Sequence, residues 1–127
     1  MDMKLELVMV PVTDVDRAKE FYEKVGFVVD HDHKVSDDVR FVQLTPPGSA
    51  CSIAIGKGLT KLAPGSLDNL QMVVADADAT HADLIARGVE VSDVDDLEWG
   101  RFVFFADPDG NGGALQQLPD WSPGAQR

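Results

Sequence analysis

Apolar and polar residues along this chain follow two alternating periods, and the order in which they switch occurs twice. Residues 4–12, KLELVMVPV, are a short apolar run read as a strand that ends at a helix cap. Within residues 12–29, VTDVDRAKEFYEKVGFVV, the side chains of Val15, Ala18, Phe21, Tyr22 and Val25 fall on one face at helical spacing. Asp14 or Thr13 supplies an N-cap oxygen, Asp16 lies in the first turn where the helix dipole favours a carboxylate, and Gly26 is the C-terminal stop. Strands at 26–33, 39–45 and 51–56 follow, joined by a polar turn at 34–38 and a Pro-Pro-Gly-Ser turn at 46–49.

The same grammar returns from residue 67. A strand at 67–74 precedes a helix at 77–87 that opens after Asp76, carries Leu84 and Ile85 on one face, and stops at Gly88. Strands at 89–94, 101–106 and 114–118 complete it, with the tight turn Asp107-Pro108-Asp109-Gly110-Asn111 before the last. An ungapped offset of 62 lays Asp14 on Asp76, Asp16 on Asp78, Gly26 on Gly88 and Pro46 on Pro108. The chain is therefore one β-α-β-β-β module used twice: module 1 at about residues 4–56, a linker at 57–66, module 2 at about 67–118, and a tail at 119–127 whose only large apolar side chain is Trp121. That tail beyond Trp121 is expected to be mobile or to lie on a partner.

A unit of about 60 residues is marginal alone, so the copies are expected to share a core or to pair with those of a second chain. The fold expected is α+β: two tandem β-α-β-β-β modules forming curved mixed sheets around a cleft, with the helices outside. If Val8, Val10 and Val12 point toward the helix, strand alternation turns Leu7 and Met9 into the cleft. The offset adds Asn69 and Gln71, and the last strand of each module adds Ser52 and Ala54, and Ala114 and Gln116.

Charge and cysteine content narrow the function classes. Eleven Lys and Arg against 22 Asp and Glu give a formal net charge of −11, which repels nucleic acid and anionic membrane surfaces and favours cationic small molecules. The single cysteine, Cys51, excludes an intrachain disulfide and a thiolate zinc site, and its apolar surroundings read as a structural thiol. The N-terminus resembles no signal peptide and no apolar run reaches about 18 residues, so a soluble, cytoplasmic protein without membrane contact is expected.

Few groups offer chemistry. His31 and His33 share one face of a strand near Asp30, Asp37 and Asp38, a surface chelate or simply a solvated strand end. His81 lies within the second helix without a nearby nucleophile, and reads as structural. In Glu98-Trp99-Gly100-Arg101, Trp99 offers a stacking surface for a flat ligand, and Arg101 or Glu98 a charge to orient it. The alternative is a core-capping Trp beside a solvated Arg. Residues 102–105, FVFF, read as core, and no phosphate loop or nucleophile elbow is present.

The stretch V-T-D-V-D-R-A-K-E-F-Y-E-K-V-G-F at 12–27, the V-A-D-A-D at 74–78 and the F-A-D-P-D-G-N at 105–111 resemble the vicinal oxygen chelate superfamily of glyoxalases, bleomycin-resistance proteins and extradiol dioxygenases. The resemblance covers both halves and implies a divalent metal held at four symmetric places, which in this sequence are Leu7, Ser52, Asn69 and Ala114. None is a carboxylate or an imidazole, so no metal and no other cofactor is expected, and the metal-centred enolate or oxygen chemistry goes with it. The family's two-module proteins usually pair, which implies a homodimer. The reading is a metal-free small-molecule binding protein of the bleomycin-resistance type, for an antibiotic or metabolite, with Leu7, Met9, Ser52, Ala54, Asn69, Gln71, Trp99, Arg101, Ala114 and Gln116 lining the cleft. The alternatives are a lyase, isomerase or dioxygenase with a non-standard metal or a metal-free acid–base pair, and a purely dimeric protein with a filled cleft.

Overall fold

The computed structural model describes residues 1–120. Among them the elements run β1 (Leu7–Met9), α1 (Val15–Val25), β2 (Val28–Lys34), β3 (Arg40–Thr45), β4 (Ser52–Lys57), β5 (Leu70–Val73), α2 (Ala77–Ala86), β6 (Asp95–Leu97), β7 (Gly100–Ala106) and β8 (Gly112–Gln117). They build two four-stranded sheets of one topology, β1-β4-β3-β2 and β5-β8-β7-β6. In each, one edge strand is parallel to its neighbour and the remaining pairs are antiparallel. The architecture is the expected α+β one, two mixed sheets with a helix against each. The tail from Trp121 lies outside the described residues.

The chain divides into two compact units: residues 1–67 with 107–111, and residues 68–106 with the chain from 112 on. In the first, Asp14 is the N-cap and accepts from Arg17 N at 3.1 Å. Helix α1 ends where Gly26 takes φ +124, a conformation that a side chain disfavours, and Gly26 N and Phe27 N both donate back to Tyr22 O. Its buried Ala18 and Tyr22 face Val42, Leu44, Ile53 and Ile55, all buried on one side of the sheet. Full burial of side chains of this size contributes about 1.5–3 kcal/mol each.

Arg40 fixes that side. Its guanidinium donates to Asp16 of α1 at 2.8 Å and, through two nitrogens, to Asp32 of β2 at 3.0 and 2.9 Å. Lys19 adds a bond to Asp32 at 2.9 Å, and these partners hold the Asp32 carboxyl well below the usual carboxylate range.

The second unit uses the same device on different residues. Asp76 caps α2 by accepting from Ala79 N, and Gln117 Oε1 accepts from Ala77 N at 2.8 Å. Ala77 and Leu84 lie buried with Val103, Phe105 and Leu115. Arg101 donates to Asp78 of α2 and to Asp96 of β6, each at 2.6 Å. The strand expected at 89–94 instead begins at Asp95. Ser92 N donates to Phe104 O, but Phe104 N is taken by Ser92 Oγ rather than by a backbone carbonyl, so a side chain interrupts the ladder there.

The turn at 107–111 connects β7 to β8, yet it belongs to the first unit. Asp107, buried, accepts from Tyr22 Oη, Asn111 Nδ2 and the N–H groups of Asp109 and Asn111, each at 2.9 Å. Asn111 Nδ2 donates also to Pro11 O at 2.7 Å, and its Oδ1 accepts from Leu67 N. Asp109 accepts from Thr13 N and Oγ1, and Asp14 rather than Thr13 caps the helix.

Candidate functional site

Arginine pairing shows which sheet faces the helices leave free. Arg101 reaches α2, so Val103 and Phe105 share its side and Phe102 and Phe104 point the other way. Strand register extends that helix-free face into two rows, Gln71-Ala114-Phe104 and Val73-Gln116-Phe102. The two phenylalanine rings lie nearly parallel, with centroids 5.6 Å apart. Trp99, in the turn between β6 and β7, is 53% exposed and Val73 62%.

A glutamine pair ties this face together. Gln71 Nε2 donates to Gln116 Oε1 at 2.6 Å, and Gln116 Nε2 donates to the Trp99 carbonyl at 2.6 Å. Gly100 permits the approach. It has φ +143, and a Cβ there would sit 2.5 Å from Gln117 O and 3.2 Å from Gln116 Cγ. The face thus combines apolar and aromatic surface with two oriented amides.

The helix-free face of the first unit is more polar. Leu7 pairs with Ser52 and Met9 with Ala54, and Gln43 lies across from Ala54. Ser52, buried, shares a hydrogen bond of 2.6 Å with Thr45 Oγ1 and accepts from Gln43 Nε2 at 3.2 Å, while Thr45 also bonds to Asp30. His31 and His33 pair with Gln43 and Phe41 on the same face, their rings stacked at 5.9 Å. Among the described residues no three His, Cys, Asp or Glu side chains gather into a metal-binding group, so the pair lacks a third such donor. Cys51 is half-buried, just ahead of β4.

Placement of the ten residues expected at the cleft is uneven. Leu7, Met9, Ser52, Ala54, Gln71, Ala114 and Gln116 lie on helix-free faces, and Trp99 is joined to Gln116. Arg101 is not with them: its charge is spent on Asp78 and Asp96 at the helix side. Asn69 precedes β5 and is outside the strand. The residue opposite Ala114, as Leu7 is opposite Ser52, is Gln71.

The connection from first strand to helix explains that shift. Val10 and Val74 make the corresponding bonds, to Ala54 O and Gln116 O, but Val10 stands four residues before cap Asp14 and Val74 two before cap Asp76. The offset of 62 that aligns the helices therefore does not carry through the first strands. Residues missed by sequence reasoning are Gln43, Thr45 and Asp30 around Ser52, and Phe102 and Phe104, which had read only as core.

The family's divalent ion does not fit these residues. Leu7 and Ala114 have no lone pair, the Ser52 hydroxyl is engaged by Thr45 and Gln43, and the register-matched Gln71 is bonded to Gln116. No helix among the described residues is long and apolar enough to cross a membrane.

Comparison with known proteins agrees with the topology. A family model described as the Glyoxalase/Bleomycin resistance protein/Dioxygenase superfamily matches residues 4–113. TnmS3, an antibiotic binding protein from Streptomyces sp. CB03234, is 37% identical, with 93% of this chain and 98% of that one covered and a TM-score of 0.83. A glyoxalase/bleomycin resistance protein from the same Streptomyces is 38% identical over 90% of this chain and 100% of that one, with a TM-score of 0.77. The uncharacterized protein YetH of Bacillus subtilis (strain 168) is 32% identical over 107 residues, 82% of this chain and 89% of YetH. The sheet order, the helix caps and these similarities together establish that the chain belongs to the Glyoxalase/Bleomycin resistance protein/Dioxygenase superfamily.

Proposed function

We propose that this protein is a metal-free small-molecule binding protein whose ligand is an antibiotic or an antibiotic-like metabolite. The observation that carries the reading is the 37% identity to TnmS3, an antibiotic binding protein, across 93% of the chain. The chemistry of the helix-free faces supports it: hydrocarbon stands at Leu7 and Ala114, where the family's enzymes place metal ligands, while Trp99, Phe104 and the glutamine pair offer apolar contact and hydrogen bonding. Amides and apolar side chains orient a ligand but do not serve as a general base near neutral pH. We further propose that the protein works in the cytoplasm as a homodimer. The net charge of −11 favours a neutral or cationic ligand over an anionic one.

Saturation binding by calorimetry across aromatic and cationic antibiotics tests the reading. At least one compound should bind well below about 1 mM. Trp99→Ala should weaken it by about 1–2 kcal/mol, as loss of an aromatic anchor does, without lowering the thermal midpoint. A panel with no ligand tighter than about 1 mM, or catalytic turnover of a bound compound, would sink it.

A further inference from the structure

Resting on that binding reading, we propose that the ligand of the second unit donates a hydrogen bond from a hydroxyl or N–H group to Gln71 Oε1, beside an aromatic and apolar surface. The polarity follows from a chain of necessity that begins at a backbone atom. The Trp99 carbonyl can only accept, so the Gln116 atom 2.6 Å from it is the Nε2 donor. That orientation turns Gln116 Oε1 toward Gln71, and an amide oxygen can only accept. The Gln71 atom 2.6 Å away is therefore its Nε2, and Gln71 Oε1 is left pointing elsewhere with no donor among the described residues.

Burial makes the first link rigid and leaves the last one available. Gln116 is 5% exposed, whereas Gln71 lies on the outer strand β5 and is exposed. Between Gln71 and Phe104 in the same row stands Ala114, itself buried, so that the exposed Gln71 at the outer strand is the part of the row open to a ligand. A ligand lying along this row meets an acceptor at one end and an aromatic ring at the other. Ethers, ketones, carboxylates and phosphates would bring oxygen against oxygen at Gln71, and the acidic net charge opposes the last two further. The class selected is a hydroxylated or amino-substituted aromatic compound, neutral or cationic.

The test uses 2-naphthol and its methyl ether, 2-methoxynaphthalene, in which a methyl group replaces the donor proton, titrated into the full-length protein and into Gln71→Leu, where the same methyl group serves as the control. The naphthol should bind the wild type about three- to tenfold more tightly than the ether, the range of one net hydrogen bond. In Gln71→Leu that ratio should fall to near one through loss of naphthol affinity. Equal binding of the two probes to the wild type, or a preference that survives in Gln71→Leu, overturns the inference and leaves the binding reading standing. Failure of both probes to bind at about 1 mM overturns the inference, while the antibiotic panel decides the binding reading separately.

A ligand-free measurement checks the bracket itself. In the ¹⁵N-labelled protein, the side-chain amide protons of Gln116 should exchange with solvent at least about tenfold more slowly than those of Gln117, whose amide nitrogen meets no backbone carbonyl among the described residues. Equal exchange at the two would remove the anchor that fixes Gln71 and overturn the inference.

Discussion

Tyr22 offers a direct test of the buried contact between α1 and the 107–111 turn. Its ring is 2% exposed, edge-on to Phe21 and tilted against Phe27, each at 5.2 Å, and its hydroxyl donates to Asp107. Burial, then the charge of Asp107 and the bond to it, then the charge of Asp109, push the phenol far above its ordinary value near 10. The folded state therefore keeps the proton where the unfolded chain releases it. A group raised in this way contributes its full stability below about pH 10, and that stability is lost as pH rises further. Each pH unit beyond the unfolded value costs about 1.4 kcal/mol, so about 2.7 kcal/mol has gone by about pH 12.

Because this is the chain's one tyrosine, the phenolate absorbance band reports Tyr22 alone. The native protein should show no phenolate until it unfolds. Tyr22→Phe supplies the reference, since every other titratable group is common to both proteins. At about pH 8 the variant should be less stable by about 1–2 kcal/mol, having lost one of the four donors to the Asp107 carboxylate. By about pH 12 the wild type should be the less stable of the two, with urea midpoints crossing near about pH 11. Phenolate forming near about pH 10 in the folded protein, or parallel pH slopes for the two chains, would refute the buried Tyr22–Asp107 contact.

Two further perturbations probe other parts of the frame. Asn111→Ala strands the Pro11 carbonyl and Leu67 N–H, and should cost about 2–5 kcal/mol in urea unfolding; Asn111→Asp should cost more, because it turns an acceptor toward Asp107 and Pro11 where a donor stood. An aspartate milder than alanine would show that the donor role is misassigned. Asp32→Asn should cost about 1–2 kcal/mol near neutral pH by loosening Arg40 and Lys19. The Asp32 carboxyl is depressed in the folded state, so its contribution is present above about pH 4 and declines as pH falls, and the gap between urea midpoints should narrow in step. A pH-independent gap would argue that the substitution acts through shape alone.

What could be read from the sequence was local. The cap oxygens of Asp14 and Asp76 and the stop at Gly26 act within a few residues, so their spacing suffices to place both helices. Register depends on chain length between elements, and there the ungapped offset failed silently. The slip in the first strands is two residues, and an even slip preserves strand alternation, so Asn69 and Gln71 are indistinguishable by face. Only hydrogen-bonded pairing with β8 separates them. Arg101 was misread because Trp99 drew it toward a ligand. Yet the sequence held a counter-signal: each module has an Arg near the start of its third strand and an Asp in the first turn of its helix, and the structure pairs Arg40 with Asp16 and Arg101 with Asp78.

The most recognisable part of the chain turns out to have the least freedom to bind anything. In F-A-D-P-D-G-N, Asp107 accepts four hydrogen bonds, Asn111 uses both ends of its amide, and Asp109 is taken by Thr13, all within one unit. A motif whose polar atoms are consumed in this way constrains the fold tightly and leaves the reaction open. On the proposed binding reading, ligand-facing chemistry belongs instead to the helix-free faces, where Ser52 and Ala114 alternate along their strands with residues of the helix side. At those positions this chain carries hydrocarbon or hydroxyl in place of metal donors, and it orients its amides through a backbone carbonyl, an anchor that a change of side chain at position 99 does not remove. Identity of the frame and identity of the ligand are therefore written in separate sets of residues, and only the second set decides between binding and catalysis.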